Sequence, residues 1–117
     1  MDKNNLSAIA EKKKIGEYGR HFLLCAGPKC IKNEDGQVVW DYLKSQIKNL
    51  GLEAKVYRSR VNCLRICSQG AIAVVYPEGS WYRLVNKEAV DKIISSHIIE
   101  GRVVEEYLFA SNPLSTP

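Results

Sequence analysis

The four cysteines of the chain form two close pairs, and thiolates grouped in this way could hold a metal centre. Cys25 and Cys30 have four residues between them, and Cys63 and Cys67 have three. A 2Fe–2S cluster takes two thiolates on each iron, which two such pairs would supply. Structural zinc sites more often use tighter pairs, although spacings of three and four are permitted. The spacing therefore favours a 2Fe–2S cluster and leaves a zinc site open.

Two further uses of cysteine fit this pattern less well. A thioredoxin-type dithiol needs a C-x-x-C motif, and the chain has none. The first residues are polar and lack the apolar segment of a signal peptide, so we expect a cytoplasmic protein. Because thiols stay reduced in that compartment, structural disulfides are the weaker alternative.

Two strand-like segments lead into the cysteine pairs. "RHFLLC", residues 20–25, ends at the first cysteine, and "EAKVYRS", residues 53–59, precedes the second pair. A helix is predicted between them, with an apolar face at helical spacing formed by Val39, Leu43, Ile47 and Leu50. Strands joined through a helix run parallel, and their carboxyl ends then lie at the same edge of the sheet. We therefore expect all four thiols to meet at that edge.

The rest of the chain completes an α/β fold. Residues 71–85 contain two strand-like runs around a turn at 77–80, which predicts a hairpin. Asn86 can cap a last helix, whose apolar face would consist of Val90, Ile93, Ile94 and Ile98. The order β-α-β-β-β-α predicts a thioredoxin-like sandwich with a mixed four-stranded sheet and two main helices.

The two ends of the chain are expected to lie outside this domain. Residues 1–18 have weak periodicity and are predicted to form a flexible polar arm with at most one helical turn. The segment after Gly101 could continue the last helix, and residues 111–117 are predicted to be a disordered tail. The domain itself is predicted over residues 19–110.

The two histidines, His21 and His97, are not expected to bind metal. A Rieske-type cluster needs two histidine ligands, and neither histidine shares a ligand motif with a cysteine. His21 lies at the start of a predicted strand. His97 lies at the rim of an apolar helix face, where packing is the commoner role.

Basic residues are concentrated in and beside the two cysteine loops, where they could offset the charge of a cluster and attract an acidic partner. They are Lys29, Lys32, Arg58, Arg60 and Arg65. The competing interpretation is ordinary solvated surface charge, since the chain has 17 Lys and Arg residues in all. The short run at residues 12–14 lacks interleaved aromatic residues, so nucleic-acid binding is not expected. No apolar stretch is long enough to span a bilayer.

Over residues 20–109 the chain resembles the thioredoxin-like 2Fe–2S ferredoxins and the related 2Fe–2S subunit of respiratory NADH dehydrogenases. The resemblance rests on "CAGPKC", "NCLRICSQGAIAVVYPEG" and "WYRLVNKEAVDKIISSHIIEGRVVEEYL". It implies that Cys25, Cys30, Cys63 and Cys67 are the cluster ligands and that the chain carries single electrons. The four-residue spacing of the first pair is closer to the respiratory subunit, but the short polar arm favours a free-standing ferredoxin.

The resemblance implies an electron carrier that is not itself an enzyme, with a reductase or an acceptor enzyme as its partner. A cluster-dependent accessory subunit or redox sensor of one specific enzyme is the second hypothesis. A zinc-stabilised binding module is the third. The sequence is also compatible with a homodimer.

Overall fold

A computed structural model describes residues 3–13, 15–25, 33–61, 64, 71–83 and 86–113. In this part of the chain the elements are α1 (Lys3–Lys12), β1 (Arg20–Cys25), α2 (Asn33–Asn49), β2 (Val56–Val61), β3 (Ile72–Tyr76), β4 (Ser80–Tyr82), α3 (Lys87–Lys92) and β5 (Leu108–Ser111). Helix α3 continues without a break into a π-helical segment, Ile93–Ile99.

The strands form one mixed sheet in the order β2-β1-β3-β4-β5. β1 is parallel to β2 and antiparallel to β3. β3 and β4 form the predicted hairpin, and β5 pairs antiparallel with β4. The α/β fold is therefore confirmed, including the parallel pair on either side of α2 that brings two strand ends to one edge.

The structure adds a helix and a strand to the predicted order. Helix α1 spans Lys3–Lys12, where at most one helical turn was predicted. The sheet has five strands in the described residues, because Leu108–Ser111 pairs with the otherwise open edge of β4 and does not continue the last helix. Four residues are too few for periodicity to identify a strand. The disordered tail was predicted to begin at residue 111, but Ser111 is the last residue of β5. Residues 114–117 of that predicted tail lie outside the described residues.

The apolar face of α2 is confirmed at three of its four predicted positions. Val39, Leu43 and Ile47 are buried, but Leu50 is 51% exposed. The helix ends at Asn49, and Gly51 has a positive φ of 66° that turns the chain back. Leu52 then enters the core, with its N–H donating to the Ile47 carbonyl at 2.9 Å.

The main core lies between the sheet and the helices. It is built from Phe22, Leu24, Ala73, Val75 and Tyr82 on the sheet, Val39, Leu43 and Ile47 on α2, and Val90, Ile93, Ile94 and Ile98 on the last helical segment. The last four are the predicted apolar face, so that prediction is confirmed. Each fully buried large apolar side chain stabilises the fold by roughly 1.5–3 kcal/mol. This packing fixes the positions of β1, which carries Cys25, and of its neighbour β3, which carries Ile72.

Candidate metal centre

Cys25, the last residue of β1, lies between the end of one strand and the start of another. It is opposite Val61 of β2 in the parallel register and opposite Ile72 of β3 in the antiparallel register. The connection from β2 to β3, which carries the second cysteine pair, therefore leaves the sheet on one side of Cys25 and returns on the other. Both predicted ligand loops begin at this edge.

In the sequence, Cys63 follows Val61, the last residue of β2, by two residues. Cys30, Cys63 and Cys67 themselves lie outside the described residues.

The surroundings of Cys25 are apolar. Its side chain is buried at 0% exposure and clusters with Ile72, while Val61, Leu64 and Trp81 pack against this pair. A buried thiol at a strand end, shielded by apolar side chains, fits a cluster ligand, because limited solvent access tunes the properties of such a centre. Within the described residues, no group of three or more His, Cys, Asp or Glu side chains could hold a metal ion.

Two of the five basic residues singled out in the sequence are described, and both are on β2. Arg60 is one residue from Val61, and its Nη1 donates to Gln37 Oε1 at 2.7 Å. Gln37 in turn donates through Nε2 to Asp41 Oδ1 at 2.9 Å. Arg60 is thus tied to the start of α2, close to the edge where β1 and β2 end. Lys29, Lys32 and Arg65 lie outside the described residues.

Arg58 lies further from this edge, beside a groove of mixed charge. Its Nε is buried and has no hydrogen-bond partner among the described residues. The groove has a volume of about 360 Å³ and is lined by Asp41, Lys44, Ser45, Ile47, Lys48, Glu53 and Arg58. The residues that line the groove come from α2, β2 and the turn between them, so no local pattern in the sequence indicates it.

His21 lies near the start of β1, four residues before Cys25. Its Nε2 is 2.9 Å from Ser59 Oγ, and its ring contacts Tyr18 and Tyr57 edge-on. Partial burial lowers the pKa of His21 below its usual value. The ring is therefore held by a hydrogen bond and aromatic contacts at the other end of the strand.

The predicted position of His97 is wrong. The ring is not at the rim of the helix but fully buried, with Nδ1 2.7 Å from Tyr82 Oη and Nε2 2.9 Å from Glu78 Oε1. His97 follows Ile93 by four residues and Ile94 by three, so it lies on the same buried face of the last helical segment. The polar ring can be buried there because Tyr82 and Glu78 provide hydrogen-bond partners for both of its nitrogens.

No helix in the described ranges is both long enough and apolar enough to cross a membrane.

No family model matches the chain. The chain is 37% identical over 76 residues to "Ferredoxin, 2Fe-2S" of Clostridium pasteurianum, a match that covers 65% of this chain and 74% of that protein. It is 40% identical over 48 residues to "Ferredoxin, 2Fe-2S" of Aquifex aeolicus, which covers 41% of this chain and 43% of the relative.

Solved structures show the same fold. A thioredoxin-like [2Fe–2S] ferredoxin from Aquifex aeolicus superimposes with a TM-score of 0.73 at 24% identity, covering 85% of this chain and 99% of the other. A crystal structure at 1.5 Å resolution of the wild-type thioredoxin-like [2Fe–2S] ferredoxin from Aquifex aeolicus gives a TM-score of 0.71 at 25% identity. This match covers 80% of the present chain and 98% of the other.

Proposed function

The chain belongs to the thioredoxin-like 2Fe–2S ferredoxin family, and we propose that four cysteines hold its cluster. The ligands would be Cys25, Cys30, Cys63 and Cys67. As a member of this family the protein is an electron carrier with a 2Fe–2S cluster. The family's cofactor decides between the cluster and the zinc site, a choice that the cysteine spacing left open.

The observation that carries the ligand assignment is the register around Cys25. Val61 and Ile72 lie opposite it on the two neighbouring strands, so the segment with Cys63 and Cys67 begins and ends beside Cys25. Cys30 follows in the loop that leaves β1 at the same place. The proposed ligand set therefore takes two thiolates from each loop, as the two irons require.

The cluster supplies the one-electron chemistry, and the protein supplies ligands, orientation and shielding. β1 fixes Cys25 by pairing on both sides. Ile72, Leu64 and Trp81 form an apolar wall around it, which limits water at that thiolate. Acid–base chemistry on a substrate is not part of this mechanism, and we assign no catalytic residue.

The partner in this proposal is a reductase or acceptor enzyme with an acidic surface. Lys29, Lys32, Arg58, Arg60 and Arg65 would attract it toward the cluster edge. The position of Arg60, one residue before Val61, supports a cation close to that edge. The proposed compartment is the cytoplasm, where the ligand thiols stay reduced.

The test of the ligand assignment is analysis of iron and acid-labile sulfide in protein produced with iron available. Two irons and two sulfides per chain and a red-brown colour are expected. Replacement of each cysteine should remove the cluster. A colourless protein with one zinc per chain would contradict the proposal. If the cluster forms but the protein reduces a single enzyme only, the accessory-subunit hypothesis replaces the general carrier.

A further inference from the structure

A chain of hydrogen bonds joins the β3–β4 turn to the π-helical segment. Tyr82 Oη is 2.7 Å from His97 Nδ1, and His97 Nε2 is 2.9 Å from Glu78 Oε1. Arg20 donates from Nε and Nη2 to the two oxygens of Glu78, at 3.1 Å each. The backbone N–H of Val104 donates to Tyr82 Oη at 3.1 Å. The Tyr82 and His97 side chains are both fully buried.

The partners of the His97 ring assign its proton. Nε2 faces the carboxylate of Glu78, which only accepts hydrogen bonds, so Nε2 carries a hydrogen. In the neutral ring Nδ1 is then unprotonated and accepts the phenolic hydrogen of Tyr82, whose oxygen accepts from the Val104 N–H. The hydrogen-bond network is therefore complete with a neutral His97 in the Nε2–H form.

This network connects three parts of the chain and extends from Arg20 and Glu78, at the end of the sheet away from Cys25, to Tyr82 on β4, whose partner Ala73 pairs with Leu24. Arg20 is the first residue of β1, and its Nη1 also donates to the Ile98 carbonyl at 3.4 Å. Val104 belongs to the segment that leads into β5. That strand is further attached to the turn by the Asn112 N–H, which donates to the Gly79 carbonyl at 2.8 Å.

We propose that Arg20, Glu78, Tyr82 and His97 form a proton-sensitive latch, which holds the segment before β5 when His97 is neutral and loosens when His97 is protonated. Protonation places a hydrogen on Nδ1, where the phenolic hydrogen of Tyr82 now points. The phenolic hydrogen must then turn away from Nδ1, and a donor that loses its acceptor in a fully buried side chain costs stability. One proton enters from solvent, and no covalent bond other than the new N–H changes.

The charged groups that face the ring act in opposite directions. Burial lowers the pKa of His97, and the positive charge of Arg20 acts in the same direction; the hydrogen bond and the charge of Glu78 oppose them but do not cancel the effect. Because the pKa is lower in the folded chain, the unfolded chain binds more protons as the pH falls. The stability that the neutral ring contributes is fully present above the usual histidine pKa of 6.5 and is lost as the pH falls from 6.5 through the lowered pKa of His97, where the folded ring takes up its proton.

Glu78 keeps its charge down to a pH below its usual pKa. Burial acts to raise its pKa, but hydrogen bonds from Arg20 and His97 outweigh burial and lower the pKa below 4.5. Its contribution to stability is present above that value and is lost as the pH falls through the lowered pKa. Loosening that occurs while Glu78 is still ionised, above pH 4.5, therefore belongs to His97.

Nitrogen-15 NMR of the histidine rings in the cluster-loaded protein tests the proton assignment. At pH 8, His97 should be in the Nε2–H form. Tyr82→Phe should raise the proton affinity of His97 about fivefold, the factor for one hydrogen bond, because Nδ1 loses its donor. Glu78→Gln should lower the affinity, because the carboxylate favours the charged ring. An Nδ1–H form of neutral His97 in the wild type, or a lower proton affinity of His97 in Tyr82→Phe, would overturn the proposal.

Hydrogen exchange tests the loosening itself and needs no variant that could fail to fold. The protection factors of the Val104 and Asn112 amides, corrected for intrinsic exchange, should fall about fivefold as His97 becomes protonated. The Leu24 amide in β1 is the internal control and should keep its protection. Constant protection at Val104 across the titration of His97 would show a structural network without a switch, and equal loss at Leu24 would show global acid unfolding.

Discussion

Cys25 and Val61 lie opposite each other at the ends of the parallel strands β1 and β2. β1 therefore ends at a cysteine, and β2 ends two residues before Cys63 in the sequence. The meeting of these ends is a property of the parallel pairing. An antiparallel pair would have put Cys25 and Cys63 at opposite edges of the sheet.

Replacing any one of Cys25, Cys30, Cys63 or Cys67 with Ala should largely abolish the cluster and lower the melting temperature. The ligands join two loops, so cluster binding is coupled to folding. Iron content, visible absorption and thermal unfolding measure the effect. Ser68→Ala, next to Cys67 in the sequence, is the control and should keep the cluster. Full iron content in a cysteine variant would remove that residue from the ligand set.

The reduction potential is expected at roughly −400 mV or somewhat above. Four thiolate ligands favour a low value, and neighbouring cations such as Arg60 raise it. A redox titration followed by electron paramagnetic resonance gives the value. A potential above about 0 mV would indicate histidine ligation, and would reopen the roles of His21 and His97.

Reversal of charge at Arg58 and Arg60 should slow electron transfer to an acidic partner about tenfold at low salt, through slower association. Stopped-flow rates measured against ionic strength test this. Added salt should slow the wild type as well, because the attraction is screened beyond about 10 Å at 0.1 M.

The control for charge reversal is the double variant Lys12→Glu and Lys13→Glu. It makes the same change of charge at exposed residues at the end of α1. Its rate should stay close to that of the wild type. If electron transfer by this variant is as slow as with the charges of Arg58 and Arg60 reversed, or if salt changes the rate of neither variant, the two arginines are ordinary surface charges.

Gly79→Ala should destabilise the fold much more than Gly51→Ala. Both glycines have a positive φ, 67° and 66°, so alanine is strained by about 1 kcal/mol at either position. At Gly79 the added methyl group would also overlap the backbone carbonyl of Asn112, whereas nothing lies within 4 Å at Gly51. Urea unfolding at equal pH compares the two. Equal losses would mean that β5 moves away from the turn at little cost.

The sequence by itself determined the features that depend on local order or spacing. The segment ending at Cys25, the helix face with Val39, Leu43 and Ile47, and the β3–β4 hairpin were all predicted and confirmed. The parallel pairing followed from connectivity, since a helix between two strands favours it. The cysteine spacing and the quoted motifs indicated the cluster. The ligand roles of Cys30, Cys63 and Cys67 stay predictions.

Only the tertiary structure decided where single residues near element ends are placed. Periodicity placed Leu50 in the core, but the turn at Gly51 exposes it and buries Leu52 instead. β5 exists because the edge of β4 pairs with it, a contact between segments that no local window contains. His97 is buried on the apolar face of the last helical segment because Tyr82 and Glu78 satisfy both ring nitrogens there. The pairing of β5 and the burial of His97 depend on partners 15 or more residues away in the chain, and local patterns carry no information about those partners.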